Sequence, residues 1–171
     1  MITSAFKPRK LRRRQLFLQE GQVSDQLGFV VKGALKQYTI DQLGRENIVS
    51  LFVENWLVGD RESFMNAKPT IYNIEAVEPV ELLVADRVDA ENTLMDMPAI
   101  QEMRRRLSER NALAMFKRME AIKSLSAEER IRQLEQTYPD FIQRFPQHVI
   151  ASYLGMTKET YSRIRSNASR R

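Results

Sequence analysis

The sequence predicts an α+β protein in three parts: an N-terminal antiparallel β-roll, one long central helix and a small all-helical C-terminal unit. Three observations carry this expectation. From about Leu16 to Arg87, short strand-like runs alternate with turn residues. After Pro98 no glycine or proline interrupts the chain until Pro139, which leaves room for a long helix. Near the C-terminus, two helical stretches hinge on Gly155.

Within the first part, Phe29 to Val31 and Ala34 to Ile40 flank the turn signal Lys32-Gly33. Asp41 to Glu46 is a polar turn ahead of the strand-like Asn47 to Val53. Further on, Tyr72 to Ala76 and Val80 to Ala85 flank Glu78-Pro79. Several short strands at close spacing suit an antiparallel roll or barrel. This sensor-like unit is expected to occupy residues 1–95.

The central helix is expected over 96–123, with Asp96 as its cap and Pro98 just inside its start. From Pro98 to Lys123 it would be about 39 Å long. Ile100, Met103, Leu107 and Ala114 form one apolar stripe, widened by Leu113, Phe116 and Met119. A helix this long between two small domains has more apolar surface than one neighbour covers, which points to self-association as a homodimer, with packing inside the chain as the alternative because Arg110 and Lys117 interrupt the heptad.

The third part, 124–171, opens on a capping box: Ser126 with Glu129 three residues on, heading a helix to about Thr137. After the Pro139-Asp140 break comes FPQHVIASYLGMTKETYSRIRS, Phe145 to Ser166. Val149, Ile150, Tyr153 and Leu154 fall at helical spacing, and Ala151 is small enough for a second helix to approach. Gly155 suits a turn needing positive φ, Met156 an apolar plug and Thr157 an N-cap. In the second helix Tyr161 and Ile164 face inward, while Lys158, Glu159, Thr160, Ser162, Arg163 and Ser166 carry polar groups for phosphates or base edges. Gln147 and Ser152 are candidates for phosphate contact alone. The expected partner is double-stranded DNA.

Composition fits a polyanion partner. The 171 residues hold 27 Lys and Arg against 22 Asp and Glu, a net charge of +5, and 43% are hydrophobic. The cations cluster in Lys7 to Arg14, Arg104 to Arg106 and Lys158 to Arg171. With no cysteine and one histidine, His148, the chain lacks ligands for thiolate zinc, iron–sulfur clusters or haem, so no metal and no identifiable cofactor is expected. No base stands beside a nucleophile, so an enzyme is not expected. No apolar run reaches membrane-spanning length, and Lys7 to Arg14 lacks the apolar face of a membrane-surface helix, so the expected location is the cytoplasm.

The order of parts resembles the Crp/Fnr family of transcription regulators, in a short Bacteroidetes-type branch. The resemblance is carried by LQEGQVSDQLGFVVKGALKQYTIDQLGRENIVSLFVENWLVGD (Leu18 to Asp60), by SAEERIRQL (Ser126 to Leu134) and by ASYLGMTKETYSRIR (Ala151 to Arg165). It implies a cyclic-nucleotide-binding-domain-like jelly roll, a dimerisation helix and a helix-turn-helix with little or no wing. It further implies an inverted-repeat operator, with RNA polymerase as a further partner. The family's recognition helix carries a basic residue, then Glu, then Arg four positions after the Glu. Lys158, Glu159 and Arg163 match, with Lys158 in place of the more usual Arg.

In cyclic-nucleotide-binding relatives a Gly-Glu-Leu segment is followed some ten residues later by an Arg that pairs with the phosphate. Gly59, Asp60, Arg61, Glu62 and Ser63 match the start of that segment, but the later positions fall at Thr70-Ile71, without an Arg. The pair expected to hold adenine from the long helix falls at Met115 and Phe116, which cannot make those hydrogen bonds. The favoured reading of Gly59 to Ser63 is a structural turn in the roll; as ligand-pocket candidates these residues, with Met115 and Phe116, leave open a small-molecule effector of unknown identity, and cyclic AMP is not expected. Two alternatives stand beside this expectation: a β-roll sensor or adaptor acting through protein partners, and a true cyclic-nucleotide-binding regulator.

Overall fold

Alternation sets the two sheets. In Val80–Asp86, Val80, Leu82 and Val84 are buried while Glu81 and Leu83 face out, the period-two pattern of a strand with one covered face. The computed structural model describes residues 6–89 and 98–168. In chain order the strands are β1 (Lys7–Leu11), β2 (Leu16–Leu18), β3 (Gln26–Lys32), β4 (Leu35–Ile40), β5 (Glu46–Phe52), β6 (Leu57–Val58), β7 (Asn73–Ala76) and β8 (Val80–Asp86). The short helices α1 (Arg61–Asn66) and α2 (Arg87–Asp89) follow β6 and β8. The helical remainder is α3 (Pro98–Ser124), α4 (Ala127–Thr137), α5 (Phe141–Arg144), α6 (Gln147–Tyr153) and α7 (Lys158–Ala168).

The strands form two antiparallel sheets, β1-β8-β3-β6 and β2-β7-β4-β5. Between them lies a core that includes Phe17, Val30, Leu35, Phe52, Ile74 and Leu82. The turn at Gly33 closes the β3–β4 corner with φ +99°, and a Cβ there would lie 2.4 Å from the Pro79 carbonyl, so only glycine fits. The basic run from Lys7, legible in sequence only as charge, forms the edge strand β1, with Leu11 buried and Lys7, Lys10 and Leu11 opposite Val84, Glu81 and Val80.

A second core joins roll and helices. Tyr38, Ile48 and Leu51 on the outer face of the β4–β5 sheet pack with Leu134, Phe141, Val149, Ile150 and Tyr161. Trp56, Tyr138, Phe141 and Phe145 continue it as a chain of ring contacts at 6.2, 4.6 and 5.1 Å. The Pro139-Asp140 break is followed by the one-turn helix α5, which buries Phe141 and sets Phe145 one turn on.

The helix α3 has 27 residues and none of them is buried. At its start Ile100 packs against Ala85, and further along it meets the roll through polar groups: Arg110 donates to the Asn55 carbonyl, Asn111 to Leu57, and Arg118 to Ile48 and Val49. These carbonyls belong to β5 and β6, or to the loop before β6, and β5 and β6 are the edge strands of their sheets. The heptad interruption at Arg110 is thus a contact to the loop that leads into the edge strand β6. The expected Asp96 cap lies outside the described residues.

Candidate nucleic-acid interface and sensor cassette

At the C-terminal pair, the turn between α6 and α7 has a full hydrogen-bond account. Gly155, φ +67°, donates to the Ser152 carbonyl and Met156 to that of Ala151, the paired bonds of a Schellman ending. The last carbonyls of this region are capped from outside: Arg118 donates to Tyr153 at 2.6 Å and Arg130 to Leu154 at 2.5 Å. Thr157 caps α7 by accepting from the Thr160 amide, and its hydroxyl donates to the Thr160 hydroxyl. Tyr161 is buried, Ile164 half-buried, and Arg165 pairs with Glu135 of α4. These contacts fix the rotation of α7 about its axis.

The opposite face is open. Lys158, Glu159, Ser162, Arg163 and Ser166 are exposed along α7, and Gln147 is exposed at the start of α6. Beside the first turn of α7 runs a groove lined by Arg45, Glu46 and Asn47 from the β4–β5 hairpin.

Two members of the expected set are placed otherwise. Thr160 is half-buried and engaged in the cap, so it is not a free outward group. The expectation that Ser152 contacts phosphate is corrected: its hydroxyl accepts from the Ile48 amide at 2.9 Å and donates to the Glu46 carbonyl. It faces the roll because β5 is an edge strand whose free amide needs an acceptor.

In the roll, Gly59 adopts φ +145° and passes so close to Leu27 that a Cβ would sit 2.6 Å from its side chain. Asp60 is the N-cap of α1. One carboxylate oxygen accepts from the Glu62 and Ser63 amides at 3.0 and 3.2 Å, the other from the Thr70 hydroxyl at 2.6 Å. Ser63 donates to the Lys68 carbonyl and accepts from the Ser24 amide. Asp60, Ser63 and Thr70 are all buried, while Arg61 and Glu62 are exposed. Thr70, ten residues after Asp60, thus supplies a hydroxyl where a phosphate-binding segment would place a cation.

Met115 and Phe116 lie at the surface of the chain. They stand 53% and 64% exposed on α3. The part of α3 that approaches α1 is its start, where Ile100 and Met103 share an apolar recess with Phe64 and Met65. Nearer to Gly59, Asn111 of α3 donates to the Leu57 carbonyl, and Met115 and Phe116 follow it along the helix at exposed positions. Among the described residues no metal-binding cluster occurs, and no helix is long and apolar enough to cross a membrane.

Sequence reasoning missed Arg144, on the one-turn α5. It donates to both oxygens of Glu54 at 2.7 and 2.9 Å and to Glu78 at 2.5 Å, tying the C-terminal helices to the roll. Glu54 also accepts from the Gly33 amide. The Arg144 guanidinium is the main cause of the fall of the Glu54 carboxyl to about 2. No local pattern marks this fork, whose members are far apart in sequence.

The fold is shared with solved regulators. FixK2 from Bradyrhizobium japonicum superposes with a TM-score of 0.78 at 17% identity, over 95% of this chain and 83% of its own. The c-di-GMP-responsive global regulator CLP of Xanthomonas campestris gives 0.77 at 16% identity, over 98% and 88%. A CRP/FNR-family transcriptional regulator from Thermus thermophilus gives 0.76 at 16%, over 96% and 86%. No curated protein sequence matches the chain. The cyclic nucleotide-binding domain matches residues 8–96, just over half of the length. With the two sheets, the Gly59–Asp60 turn and α1 in the order described, the chain belongs to the cyclic nucleotide-binding domain family.

Proposed function

We propose that the protein is a dimeric, DNA-binding transcription regulator of the Crp/Fnr type, with α7 as its base-reading helix. The observation that carries the reading is the division of α7 into a packed face, Tyr161 and Ile164, and an open polar face of Lys158, Glu159, Ser162, Arg163 and Ser166. In a major groove Arg163 offers a bidentate contact to guanine, Glu159 an acceptor to cytosine, and Lys158 and Gln147 phosphate contacts. Each good base contact discriminates by roughly 1 to 3 kcal/mol. Two copies joined through Leu113, Met115, Phe116, Met119 and Ile122, all exposed on α3, would read half-sites about 34 Å apart. The division of the chain into a roll at 1–95, a dimer helix at 96–123 and a DNA unit at 124–171 belongs to the same proposal.

A cyclic nucleotide does not fit the Gly59–Ser63 segment. Both oxygens of Asp60 are occupied by internal donors, and the counter-charge position holds Thr70. The segment serves as a buried cap that holds α1 on the roll. The test of DNA binding is a fluorescence titration against labelled duplexes at 200 mM salt. Tight binding to selected sequences that is lost in Arg163→Ala supports the reading. Equal binding to all sequences that collapses with salt leaves only a basic surface.

A further inference from the structure

Small residues open a cavity between α3 and the helices that follow it. Ala114, Arg118 and Ala121 recur at spacings of four and three, which places them on one side of α3. The two alanines leave space a turn before and a turn after Arg118. Leu134 of α4, Tyr138 at its end, and Tyr153 and Leu154 at the end of α6 supply the other walls. The cavity measures about 80 Å³, several times the roughly 10 to 15 Å³ that admits one water.

Its charged members are all cations. Arg118, Arg130 and the exposed Lys117 line it, and no carboxylate does. Arg118 spends its donors on the carbonyls of Ile48, Val49 and Tyr153 and lies 4.2 Å from the centre of the Tyr153 ring. Burial pulls this guanidinium below its usual range. Arg130 donates to the Leu154 carbonyl through one terminal nitrogen, but its Nε is buried without a hydrogen-bond partner. Glu129 and Glu135 of the same helix are engaged elsewhere, with Ser126 and Arg165. A buried donor left open is costly, and an acceptor bound in the cavity removes that cost.

We infer that this cavity binds a small amphipathic monocarboxylate, its carboxylate accepting from Arg130 and drawn by Lys117, its short apolar body lying among Leu134, Leu154 and the two tyrosine rings. A carboxylate offers acceptors alone, which suits an open guanidinium donor. The volume is too small for a nucleotide. The site is built from α3, α4 and α6, apart from the Gly59–Ser63 segment, and does not depend on α7 reading DNA.

Tyr138 meets Trp56, the one tryptophan of the chain, edge-on at 6.2 Å, so Trp56 fluorescence reports on the cavity. The experiment titrates wild type with hexanoate, hexan-1-ol and acetate. Hexanoate is expected to give a saturable change in Trp56 emission and a higher melting midpoint. The alcohol, which lacks the charge, and acetate, which lacks the apolar body, are expected to bind about tenfold or more weakly. Ala121→Leu fills the cavity, removes no side-chain hydrogen bond, and is expected to abolish the change while the unliganded protein keeps its melting midpoint. Arg130→Lys keeps the charge but loses Nε, and is expected to weaken hexanoate about tenfold. Should either variant fail to fold, Lys117→Gln at the exposed edge carries the test, with an expected loss of about threefold or more. No saturable change in wild type, equal affinity for hexanoate and hexan-1-ol, or binding undiminished in the folded variants overturns the inference. The cavity is then filled by water, merely apolar, or not the place where hexanoate binds.

Discussion

Removing Arg144 should loosen the helices from the roll by an amount the structure bounds. The guanidinium makes a bidentate pair with Glu54 and reaches Glu78 at 2.5 Å, with side-chain exposures of 21, 35 and 31%. The carboxyl of Glu54 falls from 4.5 to about 2, which at full value corresponds to about 3.4 kcal/mol. Glu54 is more than a third exposed, so solvent screening reduces this to about 1 to 2 kcal/mol. Arg144→Ala is therefore expected to lower the melting temperature by about 2 to 8 °C at pH 7. The depressed Glu54 contributes stability that is whole above pH 4.5, where the unfolded carboxyl is also ionised. It is lost as pH falls from 4.5 towards 2, because the unfolded chain takes up the proton first. Thermal unfolding of wild type and variant across pH 7 to 2.5 should show a gap that closes in that window. An unchanged midpoint at pH 7, or a gap that does not vary with pH, would mean that the fork does not hold helices to roll.

Four further outcomes are expected. Asp60→Ala leaves the Glu62 and Ser63 amides and the buried Thr70 hydroxyl without their acceptor, and should cost about 2 to 4 kcal/mol in denaturant unfolding; calorimetric titration of wild type with cyclic AMP should give no saturable heat. Gly33→Ala places a Cβ 2.4 Å from the Pro79 carbonyl and 2.8 Å from Val80 Cα at φ +99°, and should cost more than about 3 kcal/mol or prevent recovery of folded protein, since backbone cannot move aside. Phe116→Asp with Met119→Asp, both on the exposed side of α3, should convert dimer to monomer in sedimentation while the near-ultraviolet spectrum of the roll is retained; a wild type that sediments as a monomer would exclude the proposed dimer.

Local signals are legible in the sequence. The capping box at Ser126 and Glu129 has both of its bonds, the Gly155 turn has positive φ, and α3 runs one residue past the expected Lys123. Each depends on residues within one or two turns of each other. The misses are long-range. Ser152 reads as an outward hydroxyl until β5, about a hundred residues earlier, presents an edge amide that needs it. Arg110 looks like a flaw in a heptad until the Asn55 carbonyl beside the edge strand β6 is seen beneath it. The strand β1 is hidden because edge-strand cations leave little apolar alternation, with Leu11 the one buried residue of its five.

Whether α7 reads base pairs decides the proposed function. Selection of bound duplexes from a random pool at 200 mM salt, sequenced and repeated with Arg163→Ala, addresses this directly. The expected result is an enriched inverted repeat whose half-sites lie about 10 base pairs apart, with enrichment lost in the variant. A pool that stays random with wild type, or one enriched equally by wild type and Arg163→Ala, would show that α7 does not read sequence.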